Sequence, residues 1–124
     1  MHFAAARRSG DVLYLSGVIV GPAAGEGTDV EAFKEQTRRA FRSLEATLGA
    51  AGASFADVAM INSFHVFDTP HFAGSRDDHF AALSAVKDEF MPPPHPGWTA
   101  VGTTALLWDR GIVEIQMIAH APQR

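Results

Sequence analysis

The residues best suited to chemistry lie near the end of the chain, in residues 96–119, PGWTAVGTTALLWDRGIVEIQMIA. The stretch reads as two strands joined by a loop at 107–111, with Trp98 opening the first and Glu114 near the start of the second. Side chains on a strand alternate between its faces. Trp98, Ala100, Gly102 and Thr104 therefore share one face of the first strand. On the second, Val113, Ile115, Met117 and Ala119 make a wholly apolar face that reads as the core side. Ile112, Glu114, Gln116, Ile118 and His120 take the other, where a carboxylate and an amide need either solvent or a polar site. In a partly enclosed cleft Glu114 could serve as general acid or base; a salt bridge or hydrogen bond between subunits would explain it equally well. Trp98 offers a flat apolar surface and one neutral N–H, suited to a planar ligand or to plugging a seam between subunits.

Other candidates are weaker. His65, His71 and His79 fall in one region with Asp68, Asp77 and Asp78, but their spacing matches no zinc pattern such as His-Glu-x-x-His. No metal is assigned, and structural or exposed histidines are expected. His65 shares a strand face with Ser63, so it could line a polar cleft. Ser16, Ser63 and Ser84 lack the surroundings of a nucleophile elbow. The glycine-rich loop at 21–27 is followed by no Gly-Lys-Ser/Thr, so it is not a phosphate loop. No cofactor is implied.

The 124 residues are one domain's worth, spanning 1–124 as a single unit. With 47% hydrophobic and 19% charged residues, a folded soluble protein is expected rather than a disordered chain. A net charge of −4 argues against nucleic acid as the main partner. Zero cysteines exclude disulfides and thiolate sites and fit a reducing compartment. The apolar runs are too short to cross a bilayer and the N-terminus has no signal-peptide layout, so a cytoplasmic location without membrane contact is expected.

Several elements must position these residues. Residues 3–6 form a short apolar opening, and 7–11 read as a hairpin turn. Residues 12–20 (VLYLSGVIV) form a strand interrupted at Ser16–Gly17, where glycine marks a bulge, a close approach of ligand or backbone, or tight side-chain packing. Thr28 with Glu31 fits a capping box for a helix that ends near 49–52 and buries Val30, Phe33, Ala40, Phe41, Leu44 and Leu48. Residues 58–67 form a strand apolar on both faces, hence central, and a partner subunit is the expected cover for the side without helices. Ser75 with Asp78 caps a second helix to about Phe90, with Phe80, Leu83, Val86 and Phe90 as its buried stripe. The sum is α+β: one mixed sheet with two helices packed on one face.

Several strings in this order resemble the Rid family, also called the YjgF or reactive-intermediate deaminase family. GDVLYLSG at 10–17 is similar to the family's second strand, 36–52 to its first helix, and WTAVG at 98–102 and VEIQMIA at 113–119 to its closing strands. The resemblance covers nearly the whole chain and implies a chorismate-mutase-like fold assembled as a homotrimer with clefts between subunits. In catalytic members an arginine opens the string that here reads WTAVG, and it clamps the carboxylate of an imino or enamino acid during hydrolysis to a keto acid and ammonia. Here that position is Trp98. The resemblance also places Phe3 where tyrosine is common, Ser84 where asparagine is common and Val18 where glutamine continues the Ser-Gly string.

What the resemblance retains is Ser16–Gly17, the backbone around Ala100, and Glu114, which matches a glutamate that helps position water. The expectation is an enzyme that hydrolyses or tautomerises an imine, enamine or related small molecule between subunits, and not a standard 2-imino-acid deaminase. Glu114 is the expected catalytic group, and Trp98, Ala100, Ser16, Gly17, Phe3, Ser84 and His65 the expected binding residues. The alternative is a non-catalytic trimeric binding or scaffold protein that kept the assembly after losing the clamp.

Overall fold

The computed structural model describes residues 2–123. Strands β1 (Ala6–Ser9) and β2 (Val12–Leu15) form an antiparallel hairpin in which Ser9 pairs with Val12. Its tight turn depends on Gly10, whose φ of 58° lies in the left-handed region that glycine enters without a Cβ penalty. Arg7, Arg8 and Ser9 thus extend a strand, not a turn. The turn is shorter than expected because Gly10 and Asp11 suffice to reverse the chain.

Strand β3 (Val18–Val20) continues past the Ser16–Gly17 break, and both β2 and β3 lie antiparallel to one strand, β6 (Val113–His120). Leu13 faces Ala119 and Val18 faces Ile115. The expected strand over 12–20 is therefore one line with an interruption where its glycine stands.

Helix α1 (Val30–Ala50) is capped by Asp29, whose carboxylate accepts from the Ala32 N–H at 3.0 Å. Thr28 is not the cap; the aspartate one residue later reaches the same kind of orphan N–H. Phe33, Ala40, Phe41, Leu44 and Leu48 are buried as their spacing predicts, and Gln36 and Thr37 join them. The Gln36 amide nitrogen and the Thr37 hydroxyl donate to the Gly27 and Phe33 carbonyls, at 3.2 and 2.8 Å, while Gln36 Oε1 has no partner among the described residues.

Strand β4 (Val58–His65) is the expected central strand, two residues shorter at its end. Helix α2 (Arg76–Phe90) opens with reciprocal Ser75–Asp78 bonds at 3.0 and 3.1 Å, the capping box foreseen. Leu83 and Val86 are buried, but Phe80 is 36% exposed. His79 takes the inward position instead, because His79, Ala82, Leu83, Val86 and Lys87 fall on one helical stripe and Phe80 on its flank.

Strand β5 (Gly97–Gly102) lies parallel to β4, and α2 provides the crossover that parallel neighbours require. The six strands form one mixed sheet of order β1-β2-β6-β4-β5, with β3 also on β6. Strands β5 and β6 flank β4 and do not pair with each other. Phe33, Phe41, Leu44, Leu83 and Val86 from the helices share the core with Ile61, Val113, Ile115 and Met117. Ile112, expected beside Glu114, is instead wholly buried just before β6, where its N–H donates to the Val20 carbonyl at 2.8 Å. Across the sheet, Met60, Asn62, Phe64, Gln116 and Ile118 are only half-buried. Among the described residues no helix is long and apolar enough to cross a membrane.

Candidate functional site

The pleat of β6 turns Glu114 and Gln116 away from the helices, while Val113, Ile115 and Met117 on either side are buried. Ile19 on β3 pairs with Glu114, which brings the Ser16–Gly17 break alongside the carboxylate. Gly17 is needed there: a Cβ would come within 2.8 Å of Glu114 Cγ and Cδ and overlap Oε2. The Ser16 hydroxyl donates to the Ala4 carbonyl at 2.6 Å, and its backbone N–H donates to the Ala5 carbonyl at 2.9 Å. These bonds tie down the N-terminal arm that carries Phe3.

From the other side, the loop between β5 and β6 delivers Leu107 and Trp108. The result is a cleft of about 580 Å³ lined by Phe3, Ser16, Gly17, Ile19, Leu107, Trp108, Glu114 and Gln116. Gln116, which lines the cleft, accepts from Asn62 Nδ2 at 3.4 Å through its amide oxygen. The structure thus brings together Phe3, Ser16, Gly17 and Glu114. It adds Leu107 and Trp108, whose only sequence signal was two large apolar residues in a loop otherwise rich in polar and small ones, and Gln116, signalled by its alternation with Glu114.

Trp98 lies elsewhere in the chain. It pairs with Ile61, and Ile61 with Met117 on the helix-facing pleat, whereas Glu114 pairs with Phe64 on the opposite pleat. The indole stacks on Phe80 with 5.2 Å between centroids and donates its N–H to Ser63 Oγ at 2.7 Å. Ser63 in turn meets His65 Nε2 at 2.7 Å, and His65 Nδ1 meets His79 Nε2 at 2.9 Å. Four side chains thus form one hydrogen-bonded chain from the edge strand into the core. His65 is 1% exposed, so the expectation that it lines a cleft is corrected: its pleat faces the helices.

Indole N–H can only donate, so Ser63 Oγ is the acceptor in the first link, and the tautomers of the two histidines set the other two. If Ser63 passes its proton to His65, His65 donates to His79 and the far nitrogen, His79 Nδ1, carries a hydrogen with no acceptor. The Phe33, Phe67 and Phe72 rings surround it with centroids 5.1, 4.7 and 5.6 Å away. Burial pushes the pKa of both imidazoles down to about 4, and for His79 the neighbouring His65 adds to the effect. Among the described residues no set of three or more His, Asp or Glu side chains is placed to hold a metal ion.

Ala100 sits on β5 beside Ser63, exposed, and Ser84 is half-buried on α2 one turn beyond Phe80. The expected site residues therefore fall into two groups on opposite faces of the sheet: Phe3, Ser16, Gly17 and Glu114 on one, Trp98, Ala100, Ser84 and His65 on the other.

Comparison with known proteins agrees with this architecture. The family model described as Endoribonuclease L-PSP matches residues 1–121. The RutC family protein YjgH of Escherichia coli is 40% identical over 124 residues, covering 98% of this chain and 85% of that protein. Among solved structures, RidA from the Antarctic bacterium Psychrobacter superposes with a TM-score of 0.75 at 27% identity, covering 97% of this chain and 89% of its own. A YjgF/YER057c/UK114 family member from Mycobacterium tuberculosis gives 0.72 at 28%, covering 96% and 86%. With the two-helix mixed sheet and the strings at 10–17, 98–102 and 113–119 all in place, this chain belongs to the YjgF/RidA family.

Proposed function

We propose that this protein hydrolyses or tautomerises a small imine, enamine or related C–N compound in clefts completed by neighbouring subunits of a homotrimer. The observation that carries the reading is the Glu114 carboxylate, recessed over Gly17 at the floor of an open cleft. In hydrolysis, water would add to the imine carbon while Glu114 takes its proton and returns one to nitrogen. Cleavage of the C–N bond then leaves a carbonyl compound and an amine or ammonia. Ser16–Gly17 and the Ala100 backbone would border the substrate, and Trp98 and Ser84 of a neighbouring subunit would close it. One subunit holds these groups on opposite sheet faces, so only a second copy can bring them to one ligand. The half-buried Met60, Phe64 and Ile118 give such an interface its apolar surface.

A standard 2-imino-acid deaminase is disfavoured. Trp98 carries no charge, and its one N–H is committed to Ser63. RNA cleavage, suggested by the family model's description, finds little support in a net charge of −4. The same committed N–H, with the Ser16 hydroxyl bonded to Ala4, favours a second reading: a trimeric binding protein without turnover.

Sedimentation analysis together with turnover of imines generated in situ tests both. Trimers whose turnover is lost in Glu114→Gln support the enzyme. Ligand stabilisation without turnover, unchanged in that variant, supports the binder, and a monomer overturns the shared-cleft reading.

A further inference from the structure

We infer that the Glu114 cleft selects ligands with a cationic nitrogen on an apolar or aromatic group and no carboxylate: ammonium or iminium compounds derived from simple amines. This rests on the cleft being the ligand site proposed above and narrows what enters it. Glu114 is the one ionisable side chain among the described residues that line the cleft. No Lys, Arg or His nitrogen among the described residues lies within 4.0 Å of its carboxylate. A carboxylate lining a partly enclosed cleft, with no cation of its own chain beside it, can pair with a cationic ligand by a charge-assisted hydrogen bond.

The walls agree in chemistry. Phe3 and Trp108 offer aromatic faces at the rim, Ile19 and Leu107 add aliphatic surface, and all four line the same cleft. Aromatic faces attract cations through their quadrupole, indole most strongly. Gln116 adds a neutral polar group. A ligand carboxylate would meet Glu114 as a like charge with no guanidinium or ammonium nearby, and this repulsion is strengthened where water is partly excluded. Trp98 on the other sheet face offers a further apolar wall and no charge, so completing the cleft with that residue would not reverse the preference.

Three probes of similar size test the inference: benzylammonium, its isostere benzyl alcohol, and benzoate, titrated by calorimetry into the assembled protein near neutral pH. Benzylammonium should bind about tenfold or more tightly than the alcohol, and benzoate more weakly than either. In Glu114→Gln the gap between cation and alcohol should collapse, and in Trp108→Ala both should weaken. Added salt should narrow the wild-type gap, a readout that does not depend on any variant folding. Benzoate binding as tightly as benzylammonium, a cation preference that survives Glu114→Gln, or no binding by any probe would overturn it. A cation preference without imine turnover would sink the enzymatic reading alone, whereas turnover of carboxylated imines alongside tight benzoate binding would sink this one.

Discussion

The carboxylate of Glu114 occupies the space that a side chain at position 17 would need. Gly17→Ala must therefore move that carboxylate. The displaced atoms all belong to one flexible side chain, which can clear the new Cβ by turning about χ1, and Gly17 does not have a positive φ. Stability should change by no more than about 1 kcal/mol, since loss of backbone freedom in the unfolded chain offsets the crowding. Glu114-dependent binding or turnover should nevertheless fall about tenfold, the effect of roughly 1.4 kcal/mol. Urea unfolding paired with ligand titration checks both halves, and unchanged binding in the folded variant would separate Glu114 from the ligand.

Restoring the guanidinium is the complementary change. Trp98→Arg gives up the Ser63 bond and the stack on Phe80 but supplies a charge that can pair with a carboxylate. Each charged hydrogen bond is worth roughly 1.5–3 kcal/mol, so carboxylate affinity should rise about tenfold to more than a hundredfold. Measurable hydrolysis of 2-imino acids should appear with it. A correctly assembled variant without such gain would show that Phe3, Val18 and Ser84 have also reshaped the cleft.

Ser63 is the middle link between the indole and the imidazole pair. Ser63→Ala leaves Trp98 Nε1 and His65 Nε2 without their partner, and Ser63 is 1% exposed. The expected loss is about 1–3 kcal/mol for a broken buried hydrogen-bond chain, read from denaturant unfolding. Trp98→Phe removes the N–H and the second ring of the indole but keeps the Ser63–His65 bond and an aromatic ring for Phe80, so it should cost less.

Acid should weaken the fold through the same chain. His65 and His79 titrate near 4 when folded and near 6.5 when unfolded, so between these values the unfolded chain binds more protons. Their contribution is fully present above about pH 6.5 and is lost as pH falls toward 4. For His65 alone the loss by pH 4 is about 3 kcal/mol, taking 1.36 kcal/mol per pKa unit. Unfolding free energies measured across this window should show the decline, and His65→Gln, which cannot titrate, should flatten it.

Much of the fold was legible because its signals are periodic. The two faces of β6, the apolar stripe of α1 and the Ser75–Asp78 cap follow from alternation, helical spacing and capping chemistry. The misreadings occur where neighbours override a local preference. Phe80 read as a core residue from its place in an apolar stripe with Leu83, Val86 and Phe90, but Trp98 gives it a partner on the flank, and His79 can enter the core because His65 satisfies one of its nitrogens. The site divides in the same way. Glu114 and Gly17 could be singled out from a strand's alternation and a glycine break, whereas Leu107 and Trp108 reach the cleft through a loop whose path no periodic pattern encodes.

Strand β6 serves two customers through one alternation: its even-numbered Glu114 and Gln116 face the cleft, while the odd-numbered Val113, Ile115 and Met117 lie under the helices. Inserting or deleting one residue within it would swap the two sets, burying a carboxylate in oil and coating the cleft with valine, isoleucine and methionine. Descent can rewrite positions 114 and 116 one at a time and so change the lining of the cleft. It cannot alter the strand's residue count without forfeiting core and cleft together.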